Sequence, residues 1–231
     1  MKRSKRYKEL VNVLPKEGVS QSLDAINIIK NISVQEKTKV KFDESVDIAI
    51  NLNLKAKHTV RDTFILPNSW GSEKRILVFA KAEKASEAEK AGATYVGDAD
   101  LIEKIKNGWF DFDVAIATPD MMKDVGKLGA VLGRKGLMPN PKTGTVTLDL
   151  KNAIEEFKKG KVEFRADKSG IIHLKIGKVS MAADKIYENA KSLYKEVLRK
   201  KPSDLKGEYV RSVAFSSTMG PGIKVMHQSL N

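Results

Sequence analysis

The chain has 231 residues and a formal net charge of +13 at pH 7, and 31% of its residues are charged. It contains no cysteine, which excludes disulfides, thiol catalysis and thiolate metal sites. No apolar stretch approaches the ~18 residues of a transmembrane helix, so we expect a soluble intracellular protein with a polyanionic partner, nucleic acid first.

The positive charge is concentrated at the two ends of the chain. Residues 1–66 hold 13 Lys/Arg and 8 Asp/Glu, and residues 160–231 hold 14 and 7, so the ends have a formal charge of +12 between them. Residues 67–159 hold 15 and 14. The two ends therefore look like one basic unit, and the middle looks like a separate, nearly neutral one.

The first part of the chain predicts two helices followed by two strands. Residues 4–14 form a short amphipathic pattern with a basic start, and Ser22 is the expected cap of the second helix. Apolar and polar residues alternate over 40–52, which predicts a strand with one buried face, and Phe42 lies in the buried row. The second strand is predicted over 60–66.

Between residues 68 and 159 the pattern changes to apolar strands that alternate with helices. Strands are predicted at 75–80, 94–96, 113–117 and 146–148, and helices at 83–91, 101–106 and 151–158. Continuous apolar strands are typical of a sheet covered on both faces, and the alternation implies right-handed crossovers between parallel strands. We therefore predict an inserted α/β domain over 68–159, Rossmann-like, with a parallel sheet.

Alternating strands resume after Gly160, with a long helix between them that Ser180 is expected to cap. Together the two ends predict a discontinuous α+β domain, residues 1–67 and 160–231, into which the middle domain is inserted. The tail from His227 onward is expected to be disordered.

The last strand ends in a Gly-Pro-Gly corner at residues 220–222 and has two different faces. One row is suited to a core, whereas the other is small and largely hydroxyl-bearing, with Ser212, Ser216 and Thr218. Hydroxyls donate and accept hydrogen bonds, and small side chains let another molecule's backbone approach. Such a strand suits sugars and phosphates better than catalysis, although an ordinary edge strand with its turn explains the same pattern.

A second glycine-rich stretch, residues 129–146, contains Arg134, Lys135 and Lys142 and could hold a phosphate through backbone N–H groups and cations. It lacks the order of a Walker loop and does not follow a strand as a Rossmann fingerprint does. A basic loop that touches RNA phosphates, or simple turn structure, is the better interpretation. The three histidines are too widely spaced to predict a zinc site, so we expect no metal and no cofactor.

Four motifs resemble those of the L-one family of large-subunit ribosomal proteins, which belong to the mobile stalk beside the tRNA exit site. Residues 216–221 are similar to the family's terminal signature and residues 133–145 to its middle-domain signature. Residues 41–44 and 164–170 also fit, and the similarity runs over nearly the whole chain. The chain is shorter than is usual in the family between Leu54 and Arg61.

The resemblance implies a two-domain, non-enzymatic protein whose terminal domain binds the stalk of large-subunit rRNA as a monomer within the cytoplasmic ribosome. It also implies contact with exit-site tRNA, help in releasing it, and, as is common in bacterial members, repression of the protein's own operon mRNA. No cofactor and no membrane are implied. The rival interpretation is a nucleotide-binding enzyme that uses the middle domain, although no phosphate-loop order or acid–base pair accompanies it.

Carried over by matching position, the resemblance assigns RNA contacts to twelve residues of the terminal domain: Lys41, Phe42, Ser45, Asp167, Lys168, Gly170, His173, Ser212, Ser216, Thr218, Met219 and Gly220. Arg134, Lys135 and Lys142 form the secondary basic loop.

Overall fold

A computed structural model describes residues 4–14, 20–35, 40–54, 60–71, 74–205 and 207–230. The chain forms two compact units, which we call the terminal unit (Met1–Trp70 and Glu163–Asn231) and the middle unit (Gly71–Val162). Helices and strands are mixed, and the middle unit contains a parallel three-stranded sheet. The predicted fold class is confirmed.

The described elements alternate along the chain much as the periodicity predicts. In chain order they are α1 (Lys5–Asn12), α2 (Ser22–Val34), β1 (Ser45–Leu52), β2 (Arg61–Ile65), β3 (Ile76–Phe79), α3 (Ala82–Lys90), β4 (Tyr95–Gly97), α4 (Ala99–Lys106), β5 (Val114–Ala117), α5 (Met122–Val125), α6 (Gly129–Lys135), α7 (Leu150–Lys158), β6 (Lys161–Arg165), β7 (Ile171–Lys178), α8 (Ala183–Arg199), β8 (Val210–Ser217) and β9 (Ile223–Val225).

The main sheet of the terminal unit is antiparallel, in the order β7-β1-β8-β9. Alternation in β1 sends Val46, Ile48 and Ile50 to one face, where they pack in a core with buried residues of α2 and α8. Burying one such side chain contributes about 1.5–3 kcal/mol relative to leaving it exposed. Because both helices cover the same face, the other face of the sheet is left open.

The sheet of the middle unit is parallel, in the order β4-β3-β5, and all four residues of β3 are buried. Leu77 and Phe79 pack with residues of α4, α5 and α6, whereas Ile76 and Val78 pack with α3 and α7. This arrangement explains the continuous apolar run in the sequence, since both faces of the strand are covered.

The strand predicted at 146–148 is wrong. Val146 makes only an isolated parallel bridge to Ala117, and the side chain of Leu148 is 59% exposed. An apolar residue that far out of the core cannot extend the sheet's buried face.

Two predicted helix caps are also wrong, because each serine bonds to a distant part of the chain. Ser22 is the first residue of α2 rather than its cap, and its buried hydroxyl hydrogen-bonds to Ser229. The cap position of α8 is Ala182, and the Ser180 hydroxyl donates to Asp43 Oδ2 at 2.8 Å.

The tail is ordered through residue 230, contrary to expectation. Residues His227–Leu230 form a short 3-10 turn, Leu230 is fully buried, and the Tyr187 hydroxyl donates to the Ser229 carbonyl at 2.8 Å. These tertiary contacts order the tail, and the local sequence does not reveal them. Within the described ranges, no helix combines the length and apolar character needed to span a bilayer.

Candidate RNA-binding surface

The open face of the four-stranded sheet brings together residues from all four strands. Asp47 lies opposite Lys175 on one side and Ser216 on the other. In the next row, Ala49 lies between His173 and Ala214, and Ala214 lies opposite Lys224 of the edge strand. Ser212 lies opposite Asn51, one row further. Three predicted contact residues, His173, Ser212 and Ser216, therefore share one face.

One end of this face, which we call the first rim, consists of residues 41–45 and 218–220. The N–H of Ser45 donates to Thr218 Oγ1 at 2.9 Å, and the N–H of Thr218 donates to the Ser45 carbonyl at 3.1 Å. These bonds join the start of β1 to the end of β8. Six predicted contact residues lie on this rim: Lys41, Phe42, Ser45, Thr218, Met219 and Gly220.

Phe42 lies on the surface, although the alternation placed it in the buried row. β1 begins only at Ser45, so residues 41–44 lie outside the pleat and the period of two does not apply to them. The side chains of Phe42 and Met219 are 54% and 52% exposed. An exposed aromatic side chain such as that of Phe42 can stack on a base.

Hydrogen bonds to both the N–H and the carbonyl of Met219 fix the turn at this residue. Glu44, only 2% exposed, accepts hydrogen bonds from the Ser33 hydroxyl at 2.8 Å and from the Met219 N–H at 2.9 Å. Arg6 donates to the Met219 carbonyl at 3.0 Å. Glu44 is the polar exception in the apolar row of the sequence, and its position explains why: it orders the first rim.

The second rim lies at the opposite end of β1 and is the turn from Asp167 to Gly170. Asp167 Oδ1 accepts the N–H groups of Ile171 at 2.9 Å and Ser169 at 2.8 Å, and the hydrogen bond from Ile171, with that from Ser169, lowers the pKa of this carboxyl. Gly170 has φ +79°, and a Cβ there would lie 2.9 Å from the Leu52 carbonyl oxygen. Asp167 and Gly170 therefore shape the turn, and Lys168 projects from it as an exposed cation.

The two rims are separated by the length of β1, about 26 Å for eight residues at ~3.3 Å each. The predicted residues therefore form a strip across a sheet and do not converge on a single pocket. A groove of about 300 Å³ lies along the edge of β8 and β9, lined by Arg211, Ser212, Lys224, Met226 and His227 among others. The sequence analysis missed Lys175 and Lys224, although their positions between apolar neighbours in short alternating strands are a readable signal.

The secondary basic loop is a helix for half of its length. Arg134 and Lys135 form the last turn of α6, where Arg134 Nε donates to the Ala130 carbonyl at 3.0 Å and the Lys135 ammonium lies 4.1 Å from the centre of the Phe110 ring. A helix C-terminus presents carbonyl groups, which attract cations. The cradle of N–H groups considered for a phosphate is therefore absent from this helix end. Lys142 is an exposed residue of a separate 3-10 turn.

Comparison with known proteins identifies the chain. A family model described as the ribosomal protein L1p/L10e family matches residues 34–221. The chain belongs to this family. It is 57% identical over 224 residues to the large ribosomal subunit protein uL1 of Borreliella burgdorferi, with 97% of each chain covered, and 56% identical to that of Borreliella afzelii with the same coverage. The protein of the same name from Treponema denticola is 54% identical over 228 residues, again with 97% of each chain covered.

Membership in the L1p/L10e family makes the chain a structural component of the large ribosomal subunit that associates with rRNA in the cytoplasm. The predicted family, the absence of enzymatic activity and the location are confirmed by it.

The middle unit offers no support to the rival enzyme. Asp111 and Asp113 both pair with Arg75, and the hydrogen bonds from Arg75 lower the pKa of Asp113, which is the opposite of what a general acid needs. No group of three metal-ligating side chains occurs in the part of the chain that the structure describes.

Proposed function

We propose that the terminal unit binds the mobile stalk of the large-subunit rRNA through the open face and its two rims. The supporting observation is that free polar groups converge on this one surface. Lys168, Lys224, Ser212 and Ser216 form no hydrogen bond or ion pair through their side chains with any described residue, and Lys175 has only an electrostatic interaction with Asp47. A surface whose donors and cations are not used by the fold has them available for a ligand.

Recognition then has two components. The lysines attract phosphates, and the logarithm of the affinity falls by about 0.9 per phosphate contact for each tenfold rise in salt on duplexes. The serines, the Thr218 hydroxyl and the backbone of the first rim instead bond to 2′-hydroxyls, which line the wide minor groove of A-form RNA. The attraction of lysines to phosphates does not depend on the sequence or shape of the RNA. The hydrogen bonds to 2′-hydroxyls select the RNA by its shape.

The same surface accounts for the two further roles that the family resemblance implies. An operon mRNA that mimics the rRNA stalk would occupy the open face, so repression and ribosome assembly would compete for it. As a stalk component the chain would also contact deacylated tRNA at the exit site and assist its release. Competition between stalk rRNA and the chain's own operon leader for one labelled protein tests the first of these roles, and additive binding of both RNAs contradicts it.

A competition titration tests the central proposal. Stalk rRNA and an unrelated duplex of equal length compete for the full chain at high salt, where the sequence-independent component is weakened. We expect a preference for stalk rRNA of at least tenfold. Equal binding of the two RNAs would indicate a general RNA chaperone. Saturable binding of a mononucleotide would instead support the nucleotide-binding enzyme.

The terminal unit is proposed to be sufficient for this binding. Replacing residues 71–162 by a short glycine-serine linker should leave the affinity for stalk rRNA within a few-fold of the full chain. Loss of binding by a folded deletion variant, with the circular dichroism of the terminal unit retained, would assign essential contacts to the middle unit.

A further inference from the structure

Asp47 is a carboxylate in the centre of a surface that otherwise presents cations and hydroxyls. It lies on β1, the inner strand between β7 and β8, with Lys175 opposite it on one side and Ser216 on the other. Its side chain is half-buried. Any RNA that covers both rims must pass over this position, because Asp47 lies between them on the same strand.

The three carboxylates at the two rims are satisfied by the protein itself. Glu44, Asp43 and Asp167 each accept two hydrogen bonds from described residues. Asp47 accepts none and has no ion pair within 4 Å in the described part of the chain. Burial raises the pKa of Asp47, and the charges of Lys175 and His173 only partly oppose that effect. The fold thus keeps a partly desolvated acceptor without a donor.

We propose that Asp47 is a specificity-determining residue of the RNA-binding surface, where it accepts a hydrogen bond from a donor group of the RNA and disfavours a phosphate. This inference rests on the proposed function. When RNA removes the remaining water from the carboxylate, the loss is offset only if the RNA supplies a hydroxyl or amino donor at that position. A misplaced duplex that brings a phosphate there meets a like charge instead. Lysines alone would bind either arrangement.

The test compares Asp47→Asn with the matched variant Asp184→Asn. Both changes remove one negative charge, but Asp184 lies exposed in the first turn of α8, on the helix-covered side of the sheet. Full-length variants are titrated with stalk rRNA and with an unrelated duplex of equal length. We expect Asp47→Asn to bind the unrelated duplex more tightly and to lose about tenfold in the preference for stalk rRNA, a typical value for a charged hydrogen bond. Asp184→Asn should leave the preference unchanged.

A third RNA identifies the donor. Stalk rRNA with 2′-fluoro groups keeps A-form geometry but lacks hydroxyl donors. If the loss caused by Asp47→Asn disappears on this RNA, the donor is a 2′-hydroxyl, and if the loss persists, it is a base amino group. Either result supports the proposal.

Two results would overturn it. The preference of Asp47→Asn could equal that of the wild type, or Asp184→Asn could lose as much preference as Asp47→Asn, which would mean that Asp47 acts only through the net charge of the protein. Thermal unfolding of each variant confirms that the fold is retained. If instead the wild type shows no preference for stalk rRNA, the proposed function itself fails, and the role of Asp47 fails with it.

Discussion

The two units of this chain use their sheets in different ways. The parallel sheet of the middle unit is covered on both faces, and residues 71–162 hold 16 Lys/Arg and 14 Asp/Glu, a formal charge of +2. The antiparallel sheet of the terminal unit is covered on one face only, and the remaining residues hold 26 Lys/Arg and 15 Asp/Glu, a formal charge of +11.

This difference follows from how the strands are connected. Parallel strands need crossovers, which place helices on both faces, whereas antiparallel strands can leave one face to solvent. Both units have the same kinds of side chain available, yet only the terminal unit exposes a pleated row of them. Variants matched between the two units therefore test whether function follows from that exposure.

The largest effect is expected at Glu44. Glu44→Ala leaves the Met219 N–H and the buried Ser33 hydroxyl without their acceptor, which costs about 1–3 kcal/mol per group and should lower the affinity for stalk rRNA at least tenfold. Glu44→Gln should restore most of both losses, because an amide accepts from Met219 and donates to Ser33. Urea unfolding and RNA titration measure the two losses. An alanine variant that binds stalk rRNA normally would show that the first rim does not need to be held in place.

Two glycines with positive φ give the next comparison. Gly170→Ala, in the terminal unit, meets both backbone strain at φ +79° and the Leu52 carbonyl, whereas Gly136→Ala, in the middle unit, meets strain at φ +70° with open space around it. We expect a loss of about 2–4 kcal/mol for Gly170 and about 1–2 kcal/mol for Gly136.

Urea unfolding of single-tryptophan variants separates the two glycine losses, since Trp70 lies in the terminal unit and Trp109 in the middle unit. Equal losses of unfolding free energy in the two variants would mean that the turn at the second rim accommodates the added methyl group without further strain. Weak RNA binding by Gly170→Ala at a normal stability would be a separate result, assigning the turn's shape to recognition.

The sequence analysis succeeded where a structural feature depends on neighbouring residues and failed where it depends on residues far along the chain. The alternation in β1 and the apolar run in β3 reflect burial on one face or two, which periodicity records directly. The expected caps at Ser22 and Ser180 failed because partners far along the chain, Ser229 and Asp43, engage those hydroxyls instead.

The candidate surface was predictable to the same extent. Ser212 and Ser216 lie on alternate positions of β8, so their common face is visible in the sequence. Asp47 and Lys175 become neighbours only through the register of β1 against β7, which shifts between Val46 and Asp47. Cross-strand pairing of this kind is a tertiary property, so alternation can mark each residue as exposed but cannot show that the two face each other.

Thr218 can be compared with a threonine of the middle unit whose hydroxyl also accepts a backbone N–H. Its hydroxyl accepts the Ser45 N–H, and the Thr147 hydroxyl accepts the Asp149 N–H at 3.1 Å. Thr218→Val should weaken the binding of stalk rRNA by about 0.5–1.5 kcal/mol for each hydrogen bond lost, with little change in stability because water can replace the hydroxyl at an exposed site. Thr147→Val should leave RNA binding unchanged.

Binding titrations and thermal unfolding of both threonine variants decide the matter. If Thr218→Val unfolds the terminal unit, its hydroxyl serves the sheet and not the ligand. If both variants bind RNA as the wild type does, the first rim contributes through its backbone alone.

The smallest effect is expected at Lys224, and it concerns salt dependence more than affinity. Lys224 lines the groove along β9 beside Ser212, so Lys224→Gln should remove about one phosphate contact and reduce the slope of log affinity against log salt by about 0.9. The preference for stalk rRNA over an unrelated duplex should not change, because a phosphate contact carries no sequence information.

The matched control removes one charge from the middle unit at Lys90, an exposed residue in the last turn of α3. The salt slope of Lys90→Gln should equal that of the wild type. Identical salt slopes for the wild type and both lysine variants would limit the RNA-binding surface to β7, β1 and β8. An equally reduced slope in both variants would mean that net charge, and not the open face, determines the electrostatic part of binding.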